Sequence, residues 1–218
     1  MRVNRLLVSL LFLVASVAAT STARADEATR APAVRHMLLL SAKLGGLFPV
    51  NKLGPGPAFQ LGVGYAPPVL KGRLALVLDV GYSQHSDSAT LTDPRLATAT
   101  AEYTTSLTQR DLGLFLGPQV FILDPKGRFV PYAAAGADVH FLETTVTADS
   151  GGIPFGENKE TSTVVGFAMR AGFGYRLGPG LLVGEVGYSW APVSQDVTGS
   201  SYRGGVGLLV GYTATLSL

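Results

Sequence analysis

His85, flanked by Ser83, Ser86 and Asp87, is the one local cluster in the chain that sets a hydroxyl, an imidazole and a carboxylate within a few residues of each other. Acyl transfer and ester hydrolysis need such a set, in which a base activates the nucleophile and an acid orients the base. No strained nucleophile turn accompanies it, so no catalytic residue is assigned and enzymatic activity is not expected. The three histidines, His36, His85 and His140, are scattered without ligand spacing, which gives no reason to expect a metal; His140 reads as a hydrogen-bonding residue, and no cofactor is expected. Gly62-x-Gly64-x-x-Ala66 has the outline of a dinucleotide fingerprint. That motif needs a helix to open behind it, and Pro67-Pro68 stands there instead. What remains are charges set singly among small residues: Lys43, Arg170 and Arg203 against Asp79, Asp111, Asp138 and Glu185, with His140 beside them. Nearly matched signs suggest an ion-pair network, provided something brings these distant residues to one place.

A two-residue period does so. In residues 202–218 one alternate set is Tyr202, Gly204, Val206, Leu208, Val210, Tyr212, Ala214, Leu216 and Leu218, and the other is Arg203, Gly205, Gly207, Leu209, Gly211, Thr213, Thr215 and Ser217. One face is bulky and apolar; the other is small and mostly polar. The run exceeds the usual globular strand and covers the roughly 9–11 residues a strand needs to cross a bilayer. The same rule recurs over 36–48, 58–65, 73–85, 111–122, 129–141, 165–176 and 182–190. Eight strands follow, and their connections alternate. Those after the second, fourth and sixth are short and rich in proline and glycine, as in Asp124-Pro125-Lys126-Gly127 and Gly178-Pro179-Gly180, whereas residues 86–100 and 149–160 read as longer polar loops. In lipid, backbone groups have no water to satisfy them, so strands must close on themselves. The expected fold is all-β: an eight-stranded antiparallel up-and-down transmembrane β-barrel, with short turns on the periplasmic side.

Composition agrees. The 218 residues are 47% hydrophobic and only 15% charged, with 27 glycines and 13 prolines. The one long apolar run, residues 6–19, follows Arg2 and Arg5 and precedes Ala23-Arg24-Ala25, the layout of a secretory signal peptide over residues 1–25. Residues 26–35 read as a periplasmic tether and 36–218 as the barrel domain. Of 17 basic and 15 acidic residues, the signal peptide holds three arginines and no acid, leaving 14 against 15. That balance gives no basic stripe for nucleic acid. With no cysteine, the chain has neither a disulfide framework nor a thiolate site.

The aromatic residues orient the faces. Phe48, Tyr65, Tyr82, Phe129, Phe141, Tyr175, Tyr188, Trp190, Tyr202 and Tyr212 all fall on the apolar parity and mostly near strand ends, as expected of two girdles at the membrane interfaces. Lys43, Asp79, Asp111, Asp138, His140, Arg170, Glu185 and Arg203 fall on the other parity and are expected in the lumen. Side chains fill an eight-stranded lumen, so a plugged polar core is expected, not an open general porin. Pro118 and Pro131 each remove a ladder hydrogen bond inside a strand, and a bulge near their shared turn is the expected accommodation.

The chain as a whole resembles the small eight-stranded outer-membrane barrels of the OmpA and OmpX type, the opacity-like outer-membrane barrel domain. The resemblance is architectural. Leu216 and Leu218 stand where such barrels usually carry a terminal Phe or Trp read by the assembly machinery. It implies a Gram-negative outer-membrane location, contact with lipopolysaccharide and phospholipid, insertion by the outer-membrane assembly machinery, and a structural or surface-interaction role. Two alternatives from the same class are a lipid A-modifying barrel enzyme, with the His85 cluster as its one candidate, and a narrow channel for small solutes. Residues 102–109 and 143–147 continue with alternating threonines past the apolar belt, so strands four and five are expected to project as a ledge. With residues 149–160, that ledge is the candidate surface for an external protein or glycan.

Overall fold

The computed structural model describes residues 36–50, 53–92, 102–150, 153–193 and 202–218. The expected signal peptide and tether lie outside them. The described residues form β1 (Met37–Pro49), β2 (Gly56–Ala66), β3 (Leu74–Thr92), β4 (Glu102–Phe121), β5 (Phe129–Ser150), β6 (Ile153–Leu177), β7 (Gly180–Pro192) and β8 (Tyr202–Ser217). Each strand pairs with the next, and β1 pairs with β8 from Met37↔Ser217 to Pro49↔Gly205, which closes the barrel. Closure leaves no open edge within the ring. The start of β1 and the end of β8 meet, Leu218 N–H donating to the His36 carbonyl at 2.9 Å. They share one end of the barrel with the β2–β3, β4–β5 and β6–β7 turns.

The turn chemistry is local. Gly178 has φ +60° and is followed by Pro179 between Leu177 and Gly180, which pair. That sign pattern is a type II′ hairpin, which matches the twist of the flanking strands. At the β4–β5 turn Asp124 Oδ1 accepts from the Lys126 N–H at 2.9 Å and the Asp124 carbonyl accepts from Gly127 at 2.9 Å.

Two expectations about the connections are corrected. Residues 86–92 continue β3, and 153–160 belong to β6, whose hairpin with β5 pairs Ser150 with Ile153. The polar stretches are therefore strand and not loop. Threonine is β-branched and suits a pleated surface, and above the membrane both faces of a strand can be polar. The resulting wall is uneven. The β2–β3 pairing ends at Ala58↔Ser83, and β6–β7 pairing begins only at Phe167↔Trp190. Among the described residues, β3 from Asp87 to Thr92 pairs only with β4, and β6 from Ile153 to Gly166 pairs only with β5. At ~3.3 Å per residue, that stretch of β3 is about 20 Å long and that of β6 about 46 Å, with β4 and β5 between them.

The expected bulge at the prolines is also corrected. The β4–β5 ladder is bridged at Leu116↔Ala137 and again at Gln119↔Ala134, the same register on both sides, while Pro118 stays paired with Leu76 of β3. The missing donor is absorbed by omitting two rungs. The register shift that does occur in β5 lies at Ala148/Asp149, on its pairing with β6.

Candidate functional site: the barrel lumen and the outer wall

Alternation along each strand sends one set of side chains outward and the other to the axis. The outward set is exposed, Leu44 by 63% and Phe173 by 61%, while Asp79 and Glu185 on the other parity are 6% exposed. The lumen has three levels. Nearest the short turns, Leu39, Ala75, Val77, Phe121, Val130, Tyr132, Leu181 and Val183 pack into one apolar cluster. The small-residue parity had suggested a polar interior throughout; at this end it is apolar.

The middle level carries ion pairs. Lys43 of β1 donates to Glu185 Oε2 of β7 at 2.6 Å, and the Tyr132 hydroxyl of β5 donates to the same oxygen at 2.8 Å. Arg170 of β6 pairs with Asp79 of β3, and its guanidinium lies 3.8 Å from the centroid of the Phe115 ring. An arginine held by a carboxylate and covering an aromatic face fills the cross-section with few unsatisfied donors. Phe115 and Tyr132 lie on the predicted inward parity, but alternation alone does not name these partners.

The outer level is polar. Arg203 of β8 pairs with Asp111 of β4 and donates to Ser189 Oγ at 3.2 Å. Asp111 Oδ1 lies 3.1 Å from His140 Nδ1, while Asp138 Oδ2 is 3.1 Å from His140 Nε2. A cavity of about 110 Å³ opens among these groups, and a second of about 30 Å³ lies on the turn side, with Asp79 lining both. Lys43, Asp79, Asp111, Asp138, His140, Glu185 and Arg203 are buried and Arg170 is partly buried, each beside another of the set. Gln60, Ser83, His85, Gln109 and Thr144 are buried there too, and a sequence parity alone does not mark neutral polar residues as site residues.

His85 is held by a different set from the one its sequence neighbours suggest. Its Nδ1 is 3.1 Å from the Gly54 carbonyl and its Nε2 is 3.3 Å from Ser83 Oγ. Ser86 projects to the opposite face, and Asp87 Oδ1 accepts from the Ser88 N–H. Among the described residues, no acid orients the ring. His85 sits three residues above the exposed Tyr82, outside the spanning segment, where burial first and Arg203 second depress its pKa against the Gly54 bond. Depression means the folded rim holds neutral His85 while the unfolded chain protonates near the ordinary value, so the stability it contributes is present at neutral pH and lost as pH falls below that value. Urea unfolding followed between pH 7.5 and pH 5 is expected to show this loss, and His85→Gln to reduce it.

Several of the outward aromatics fall on shared rows of the register. Phe129, Tyr175, Leu182 and Tyr212 are cross-strand neighbours near the turns, and Tyr82, Leu112 and Phe141 are neighbours toward the wall. Phe48, Tyr65, Tyr188 and Trp190 are exposed; the Tyr202 side chain lies outside the description. Near the turns the phenols have polar partners: His36 Nδ1 lies 2.5 Å from Tyr65 Oη, Arg128 Nε donates to Tyr175 at 2.9 Å, and Tyr212 donates to the Leu177 carbonyl at 2.9 Å. Just above Phe141, Glu143 binds Lys159 at 2.8 Å and lies 3.5 Å from Arg110. The Lys159 hydrogen bond holds the partly exposed Glu143 carboxyl below its ordinary pKa.

A closed, up-and-down ring of eight strands, apolar outside and polar within, defines an integral outer-membrane β-barrel. Residues 10–185 match the family model described as outer membrane protein beta-barrel domain, and the chain belongs to that family. It is accordingly a membrane protein of the Gram-negative outer membrane. No curated protein matches it in sequence. Among solved structures, it is similar to a major outer membrane protein of Thermus thermophilus, at 14% identity over 83% of this chain and 99% of that one, with a TM-score of 0.54. Neisserial surface protein A aligns at 17% identity over 81% and 96% with a TM-score of 0.43, and the attachment invasion locus protein Ail of Yersinia pestis at 12% over 84% and 98% with 0.42.

Proposed function

We propose that this protein is a plugged outer-membrane barrel with a structural and surface-interaction role, not a general porin and not an enzyme. One observation carries the reading: the axis is crossed by an ion-pair level resting on an apolar cluster, while four strands continue far beyond the ring. A lumen sealed in this way favours anchoring over transport. The edges of β3 from Asp87 to Thr92 and of β6 from Ile153 to Val165, which pair with no second strand among the described residues, offer backbone donors and acceptors to an extended segment of an external protein by strand addition. The hydroxyl-rich outward face between them suits glycan as well.

The aromatic rows would sit at the two interfaces, with lipid between them. Arg110 and Lys159, just above Phe141, would meet lipopolysaccharide phosphates, and the tyrosine row near the turns would meet phospholipid headgroups. Insertion would require the outer-membrane assembly machinery. The narrow-channel alternative draws on the two lumenal cavities, which share Asp79. Planar-bilayer recording separates the two readings. No steady conductance is expected from the purified barrel, whereas a stable ion-conducting level would make it a channel. Proteolytic or genetic trimming of the wall above residues 86, 108, 144 and 161 is expected to leave the barrel folded and abolish binding of cells to external protein or glycan. Undiminished binding would remove the surface role.

A further inference from the structure

Three of the four lumenal carboxylates have a full cation beside them: Glu185 has Lys43, Asp79 has Arg170 and Asp111 has Arg203. Asp138, 5% exposed, has no Lys or Arg partner among the described residues. Its neighbour is His140, whose side chain is 4% exposed. A carboxylate only accepts, so the 3.1 Å contact from His140 Nδ1 to Asp111 places the ring proton on Nδ1. In the neutral ring Nε2 then presents a lone pair. It lies 3.1 Å from Asp138 Oδ2 yet makes no hydrogen bond, because the carboxylate is off the axis along which that nitrogen bonds. Two buried electron-pair donors thus face each other without a proton aligned between them, on the wall of the 110 Å³ outer cavity.

We propose that His140 Nε2 and Asp138 Oδ2 together bind a transition-metal dication of the zinc or copper kind. Two donors each about 2.0–2.2 Å from one ion lie about 3 Å apart when they occupy adjacent coordination positions. Imidazole with carboxylate selects zinc, copper or nickel over calcium or magnesium. The support behind the ligand fits as well. Asp111 takes the distal N–H of His140, as the carboxylate does behind most metal-bound histidines, and Arg203 fixes the other side of Asp111. Gln60 Nε2, also buried, without a hydrogen bond and on the same cavity, can donate to a water that completes the coordination. The described residues hold no group of three or more His, Cys, Asp or Glu suited to a metal, so water supplies the remaining ligands and the site binds less tightly than a structural zinc.

The test is copper and zinc titration of the tag-free barrel in detergent. Electron paramagnetic resonance of the Cu²⁺ form is expected to show one ion per chain coupled to a single imidazole nitrogen, and Zn²⁺ is expected to displace it. His140→Asn and Asp138→Asn are expected to remove that signal, and Asp111→Asn to weaken binding about 10–100-fold, each with heat-dependent gel mobility checking that the variant is folded. His36→Asn is expected to leave the signal unchanged. If a lumenal variant does not fold, a single-nitrogen signal that persists in both His36→Asn and His85→Gln decides the matter. No copper bound, coupling to two or more nitrogens, or a signal lost with His36 would overturn the proposal.

Discussion

Replacing Glu185 by Leu is expected to destabilise the barrel more than any other single lumenal charge substitution, by roughly 3–5 kcal/mol, the range for leaving a buried ion without its partner. Two groups lose their acceptor at once: the Lys43 ammonium at 2.6 Å and the Tyr132 hydroxyl at 2.8 Å. Lys43 is 6% exposed and has little water to turn to. The carboxylate of Asp79 is already held by Arg170. Removing both ions is a different matter, because a pair in a low-dielectric core recovers only part of its desolvation. The double variant Lys43→Met with Glu185→Leu is therefore expected to recover most of the loss, even though Tyr132 stays unpaired. Urea unfolding in lipid vesicles, with both single variants and the double, measures the coupling directly. If Glu185→Leu is no less stable than the double variant, the ion pair does not hold the barrel at its middle level.

The same pair marks the limit of what the chain's pattern reveals. Parity alone says that Lys43 and Glu185 face the axis, since a one-residue slip would turn the greasy set inward. It does not say that they meet. They lie 142 positions apart on β1 and β7, strands that are not neighbours, and their height along the axis depends on the stagger of every ladder between them. The apolar cluster was hidden for a related reason. Val77 and Val183 read as exceptions within a small and polar set, and only stagger brings them level with Leu39, Phe121 and Leu181. Asp111 and His140 are on paired strands, yet the His140–Asp138 contact joins residues of one strand two apart, and its off-axis angle is a matter of rotamers.

Strand ends failed on different grounds. Inside the membrane, one face must be apolar, so the period shows. Above it, β3 to Thr92 and β6 from Ile153 have water on either side, and the alternation that identified Leu74–Tyr82 and Val165–Tyr175 disappears while the backbone pairing continues. Pro118 pointed to the right place and the wrong remedy. A bulge would have shifted β4 against β5; the two strands instead keep their register and approach each other through glycines.

That approach makes Gly136→Ala an unusually damaging change for one methyl group. A Cβ on Gly136 would lie 2.7 Å from the Gly117 Cα, and one on Gly117 would lie 2.7 Å from the Gly136 Cα. Both atoms are backbone, so no rotamer change relieves the clash; β4 and β5 must separate beside the two rungs already omitted at Pro118. Overpacking of a rigid site costs roughly 1–3 kcal/mol, and here the upper end is expected, together with slower closure, because the seam has fewer hydrogen bonds to hold it. Gly207→Ala supplies the control. It also faces the lumen, but its Cβ would meet only Leu47 Cδ1, at 3.6 Å, an ordinary contact. Since alanine also restricts the unfolded chain more than glycine does, Gly207→Ala is expected to be neutral or slightly stabilising. Folding yield into vesicles and urea midpoints for the two variants, read side by side, test whether crowding or loss of glycine itself is responsible: equal losses at both positions would show that the β4–β5 approach has no special role.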